Sequence, residues 1–337
     1  MIGSIFLDEP THHYSCADIF QTVSMVWKDN ESGETLVRLI QEECGPHIRA
    51  SIKSLEGKYN DDDPSVFLTC LEEYRVDFLR KMEFLCSICG GNSQRVRGQT
   101  LGDILLMLLP SQLSLASELC GKVLSKILQM IRDQRSGKFV DMTQLKSLME
   151  MFHGHYLHDS LFFGKPLLEG TAEFYTAEAV QVFEQSDLPQ YLKHVKGRLR
   201  EEKEKCQSLF CFGMFMDEVI AIVEREFLVV RASAIIEKGF VTLMDENRRA
   251  DLGIMYRLFS EADLLGHLDE ALRSYILDTG RKMLAQGSSS LADFMASVDQ
   301  ICFASFLEDP SLEKTADECF MELGLSWKDR FALFYGI

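Results

Sequence analysis

The sequence predicts an all-α protein, on three observations. Apolar residues recur at helical spacing along most of the chain, no comparable stretch sustains a period of two, and proline and glycine fall where helices would start and stop. In chain order, Val123, Ile127 and Met130 open one stripe, and Leu188, Leu192, Val195 and Leu199 form a second with steps of 4, 3 and 4. Val219, Val223, Phe227 and Val230 form a third, with steps of 4, 4 and 3. Each set shares one side of a helix and requires a neighbour to cover it.

The pairs Asp63-Pro64 and Asp309-Pro310, and the run Ser186-Asp187-Leu188-Pro189, mark helix starts. In each, a capping side chain stands just before a residue whose missing N–H costs nothing in a first turn. Glycine and serine at 89–93 (CGGNS), 135–138 (RSGK) and 286–290 (QGSSS) mark turns, since glycine loses most entropy on ordering and serine competes for backbone bonds. A succession of roughly a dozen or more helices fits either a globular bundle or an elongated solenoid. No self-similarity with the period of the common helical repeats is present.

The 337 residues are enough for two or three units with ample core. With 52 acidic against 35 basic side chains, the net charge of −17 argues against a nucleic-acid or anionic-membrane partner, because phosphate contacts need a basic surface. The longest apolar run, 104–109, is far short of a membrane span, and 1–10 lacks the pattern of a signal peptide. Ten cysteines without a repeated spacing read as reduced core residues, so the expected location is cytoplasmic, nuclear or both.

Residue patterns alone give catalysis no anchor, and neither a cofactor nor a metal is expected. Cys86 and Cys89 have the gap of a zinc half-site but no second pair. His153, His155 and His158 lack the glutamate that a metalloprotease helix sets between its histidines. Asp61, Asp62 and Asp63 resemble a magnesium-diphosphate cluster, yet Pro64 makes Asp63 a natural helix cap. Gly90 and Gly91 lack the following lysine and hydroxyl of a phosphate loop. The charged stretch 193–205 reads as a solvated helix face, with Arg198 and Glu202, and Arg200 and Glu204, able to pair.

From Leu119 onward the chain resembles the cullins, the helical scaffolds of multisubunit ubiquitin ligases. The stretch 123–141 (VLSKILQMIRDQRSGKFVD) resembles the opening of the family's second repeat, and 174–183 (FYTAEAVQVF) and 188–206 (LPQYLKHVKGRLREEKEKC) its successive helices. The most specific segment is 235–260 (IIEKGFVTLMDENRRADLGIMYRLFS), with the Asp251-Leu252 pair and the close at 255–260. Its wording, with Tyr191 to Val195, resembles the type-four branch most, then type three. Tyr256 and Phe259 belong to the resemblance and read as core residues. The stretches 291–307 and 319–323 resemble the last helices before the family's C-terminal half.

The resemblance implies an elongated solenoid of three stacked cullin repeats of about five helices each, at 1–117, 118–232 and 233–337. The function it implies is that of a non-catalytic scaffold arm that binds a substrate adaptor through its first repeat. That adaptor is of propeller type, or of BTB type if the chain is closer to type three. The match of 16–27 (CADIFQTVSMVW) to the second helix makes Asp18, Ile19, Phe20 and Val23 adaptor contacts; the match of 100–109 to the fifth adds Asp103, Leu106 and Met107. Gly90 and Gly91 depart from the family's unbroken helix there and should shorten it.

The family's C-terminal half, which captures a RING subunit and carries a modified lysine, has no counterpart up to Ile337, so a RING partner is not expected and the chain reads as a short or competing cullin. A monomer within a hetero-complex is expected, since no heptad seam runs through the sequence. Two other readings stand beside this one: a helical-rod vesicle tether, and a magnesium-dependent prenyl-chain enzyme using Asp61 and Asp62.

Overall fold

The computed structural model describes residues 21, 30–58, 65–89, 95–96, 99–151, 163–209, 215–286 and 291–325. The chain divides into two compact units, Met1–Leu167 and Leu168–Ile337. All the regular structure described is helical except for one two-residue antiparallel ladder.

In the first unit, α1 (Asn30–Glu56) buries Ile40, Cys44, Ile48, Ile52 and Leu55, spaced every fourth or third residue on one face. It packs on α2 (Ser65–Cys89), whose Phe67, Leu71, Phe78, Met82 and Leu85 are buried. Helix α2 ends at Cys89, just before the glycines expected to stop it; Gly90, Gly91 and the Asp63-Pro64 start lie outside the described residues. Strands β1 (Arg95–Val96) and β2 (Gln99–Thr100) then pair, Arg95 opposite Thr100 and Val96 opposite Gln99. Two residues per strand are too few to carry a period, so no alternation announces them.

The segment expected as one fifth helix over 100–109 is two. Helix α3 (Leu101–Leu106) ends and α4 (Leu108–Leu115) begins at Met107, the cap residue of both. Pro110 has no N–H to offer the carbonyl of Leu106, which removes a helical bond at the break, and Met107 N closes a tighter turn onto Ile104 O at 3.2 Å. Helix α5 (Ser117–Arg135) buries Val123, Ile127 and Met130 as their spacing requires. It ends at the expected turn, where Gly137 takes a left-handed φ of 78°. Helix α6 (Met142–Met151) comes next.

The second unit contains most of α7 (Lys165–Gln185), then α8 (Leu188–Leu209), α9 (Met216–Phe227), α10 (Ala232–Asp245), α11 (Arg249–Glu261), α12 (Leu265–Ala285), α13 (Leu291–Ser305) and α14 (Pro310–Glu322). Both expected caps are present: Asp187 accepts from Gln190 N at 2.8 Å, and Asp309 accepts from Ser311 N at 3.0 Å with Pro310 in the first turn. The α8 stripe is buried throughout, and Glu202 and Cys206 continue it.

That continuation corrects one expected ion pair. Glu202 lies on the buried face and binds Lys205, whereas Arg198 turns to Glu178 and Glu201; Arg200 and Glu204 do approach, at 3.9 Å. The stripe on α9 also ends early. Val219, Val223 and Phe227 are buried, but Val230 is exposed, because Leu228 closes the helix and Val229–Arg231 tighten to a 3-10 turn that rotates Val230 off the face.

Helix α8 packs against α9 and α11, α11 against α13, and α12 against α10 and α14. Helix α10 bends at Gly239, where a Cβ would lie 3.3 Å from the side chain of Leu188, so the absence of one permits the close crossing with the start of α8. Asp251, in the first turn of α11, is buried and receives Arg248 and Lys193. Phe259 is fully buried and the Tyr256 ring packs on Phe306, as their core reading requires. Among the described residues no single helix is long and apolar enough to cross a membrane.

Candidate functional site

The candidate site is built from the fifth-helix region outward. Thr100 and Asp103 form a reciprocal cap on α3: Asp103 N donates to Thr100 Oγ1 at 3.1 Å, and Thr100 N donates to Asp103 Oδ2 at 2.9 Å. This cap compensates for the shortness of the helix and fixes which way it faces. Leu101 and Leu105 point into the core, so Leu106 is left 49% exposed.

Asp103, Leu106 and Met107 line one open groove of about 360 Å³. Its other walls come from Phe78 and Leu79 of α2 and from Leu109 and Pro110 of α4. Arg75 and Glu150 complete the rim. Three residues named from the sequence are therefore brought together, with their apolar partners on α2 unannounced. Phe78 lies in the core spacing of α2, and nothing in that spacing distinguishes a groove floor from a core face.

The rim is held by charge. Arg75 chelates Glu72 through two contacts of 3.1 Å and approaches Glu150 at 3.5 Å, while Ser147 donates to the same Glu72 carboxylate. Burial raises the Glu72 pKa, but the bonds from Arg75 and Ser147 outweigh it and hold the carboxyl below its ordinary range. The α1–α4 contact is tied by Arg49 Nη1 donating to Gln112 Oε1 at 2.7 Å. The groove is thus an apolar trough with a hydrogen-bonded, charged rim.

Asp18, Ile19, Phe20 and Val23 lie outside the described residues, as do Asp61, Asp62, Asp63, His153, His155 and His158. Seven of the cysteines, at 44, 70, 86, 120, 206, 302 and 319, are free thiols. Cys86, whose pKa is raised by burial and by the charges of Asp103 and Glu83, is one of them. Among the described residues no group of three or more His, Cys, Asp and Glu side chains could hold a metal ion.

A second ionic cluster, in the other unit, joins α7 to α8. Glu178 Oε1 accepts from His194 Nε2 at 2.8 Å and from Arg198 Nε at 2.7 Å. Burial raises the Glu178 pKa, but these two donors more than reverse it, and the folded value lies below the ordinary one. A lowered folded pKa contributes stability that is present above the unfolded value of about 4.3 and is lost as pH falls through the folded value. Stability should therefore decline below about pH 4. Urea titrations from pH 3 to pH 7 should give a shallower acid limb for Glu178→Gln than for wild type, and an identical limb would contradict the assignment.

The described fold is amphipathic helices packed on one another, with an open apolar groove in the first unit. The cullin alpha solenoid domain matches residues 1–332, and the chain belongs to the cullin family. Cullin-like protein 5 of Arabidopsis thaliana is 36% identical over 308 residues, which cover 90% of this chain and 70% of that protein. Human Cullin-4A is 28% identical over 323 residues, 91% of this chain but 42% of its own length. Cullin-3B of Arabidopsis thaliana is 24% identical over 221 residues, 61% of this chain and 30% of its own. The chain thus spans less than half of the type-four and type-three relatives. Cullins are scaffolds of ubiquitin-ligase complexes and are not catalytic alone. Family membership lends no support to the vesicle-tether or prenyl-chain readings.

Proposed function

We propose that this chain is the adaptor-binding arm of a cullin–RING ubiquitin ligase of the type-four kind. It engages a propeller-type adaptor through its first repeat, and the repeats run 1–117, 118–232 and 233–337. The observation that carries this reading is the α2–α4 groove, because the three fifth-helix residues implied by the family likeness share one apolar depression with a charged rim. Asp18, Ile19, Phe20 and Val23 supply the second half of the same contact. The arm acts by geometry, holding a bound substrate at a set distance from the ubiquitin-conjugating enzyme. It acts in the cytoplasm or nucleus, as one copy within a hetero-complex.

The test is calorimetric titration of the chain with a purified propeller-type adaptor. Phe20→Ala should weaken binding by roughly 1 to 4 kcal/mol if the ring is a buried anchor. Unchanged affinity in a folded variant would remove Phe20 from the interface. Binding of a BTB-type adaptor in place of the propeller would move the chain to the type-three kind.

A further inference from the structure

The second unit carries another groove, of about 430 Å³, between α10 and α12. Phe240 and Tyr275 line it, and both are more than nine-tenths buried. Their rings meet edge to face at 6.4 Å, and Tyr275 OH donates to Asp245 Oδ1 at 2.9 Å, so this floor is held in place. Val241, 55% exposed, adds apolar surface at the edge.

Glu237, Glu270 and Asp278 line the same groove, together with His267 and the ammonium of Lys282. Helix α12 turns charges of both signs to each side, with Asp269 meeting Thr315 of α14 and Lys282 lying on the groove. Arg273 and Arg281 pair across to α14, with Glu318 at 2.8 Å and Glu322 at 2.7 Å, whereas Glu270 and Asp278, eight residues apart, face the groove. None of the three groove carboxylates forms an ion pair among the described residues, although most of the cations on α8, α9 and α12 do. Unpaired carboxylates along a fixed apolar trough complement a cationic helix that carries apolar anchors.

We infer that the α10–α12 groove is a docking surface for a basic amphipathic helix of a partner protein, separate from the adaptor contact. The stretch of α12 that lines it, 267–282, runs about 22 Å at 1.5 Å per residue, the length of a helix of roughly 15 residues. Apolar side chains of the guest fill the trough over Phe240 and Val241, and its Lys or Arg residues meet Glu237, Glu270 and Asp278.

The probe is a fluorescein-labelled leucine–lysine amphipathic peptide of about 18 residues, with a scrambled peptide of the same composition as control, titrated into the full chain. The amphipathic peptide should bind at least tenfold more tightly than the scrambled one and slow amide exchange at 233–241 and 267–282. Glu237→Gln with Glu270→Gln and Asp278→Asn should weaken it about tenfold. Removing three exposed carboxylates elsewhere in the unit, by Glu184→Gln, Glu218→Gln and Glu313→Gln, should leave affinity unchanged. Equal weakening by both triple variants, equal binding of the scrambled peptide, or no binding would overturn the inference. So would self-association of the wild-type chain that the groove variant abolishes, which would give the surface to a second copy.

Discussion

Replacing Phe227 with alanine should destabilise the second unit by about 3 to 5 kcal/mol, the usual cost of emptying a packed aromatic site. Phe227 is fully buried at the end of α9, and three rings surround it: Tyr175 at 5.7 Å, Tyr191 at 6.2 Å and His194 at 5.8 Å. Its own carbonyl accepts from Tyr191 OH at 2.6 Å, so one residue joins α7, α8 and α9 through both ring and backbone. The burial of Tyr191 pushes its phenol pKa up, which keeps that donor protonated. Loss of the ring leaves a void that these neighbours, locked in their own helices, can only partly close. In a unit of this size the melting midpoint should fall by roughly 6 to 20 °C. Phe303→Ala is the matched control, because Phe303 is 65% exposed and its truncation should stay within about 0.5 kcal/mol. A Phe227→Ala loss below about 1 kcal/mol, read by urea unfolding, would contradict the packing described.

Leu106→Asp should lower affinity for a propeller-type adaptor by roughly 10- to 100-fold, or about 1.4 to 2.7 kcal/mol, while leaving the chain folded. The separation of the two effects comes from the α3 geometry. Leu101 and Leu105 hold the helix to the core, whereas Leu106 lies half exposed on the groove wall. A carboxylate there stays solvated in the free chain but must be desolvated beside Asp103 and Glu150 once the groove is covered. The Thr100–Asp103 cap does not involve Leu106 and should survive the substitution. Normal affinity in the folded variant would exclude this wall from the interface.

The parts of the fold that are legible in the sequence are those that local chemistry decides. The stripe of Leu188, Leu192, Val195 and Leu199, the caps at Asp187 and Asp309 and the turn at Gly137 all depend on neighbours within one or two helical turns. Val230 and the Arg198–Glu202 pair defeat a local reading for the opposite reason. A 3-10 turn rotates the first off its face, and the buried side of α8 claims Glu202 before Arg198 can reach it. Pro110 carries the signal that splits 100–109 into two helices, though a resemblance to one continuous helix speaks against it.

At the candidate site, Asp103, Leu106 and Met107 are accessible only through likeness to the cullins, since their apolar pattern alone is that of a core face. Their partners Phe78 and Leu79 come from α2, more than twenty residues earlier, and no spacing rule links the two segments. Tertiary packing alone brings them to one trough. The acidic lining of the α10–α12 groove is likewise illegible, because no spacing rule tells which neighbouring helix Glu270 and Asp278, or Arg273 and Arg281, will face.

Amide hydrogen exchange on the whole chain, with and without a purified propeller-type adaptor at saturating concentration, tests the central claim most directly. The account predicts slowed exchange in 75–79 and 101–110, the segments that line the α2–α4 groove, with the second unit unchanged. Protection confined to other segments, or none at all while the adaptor is bound, would contradict it.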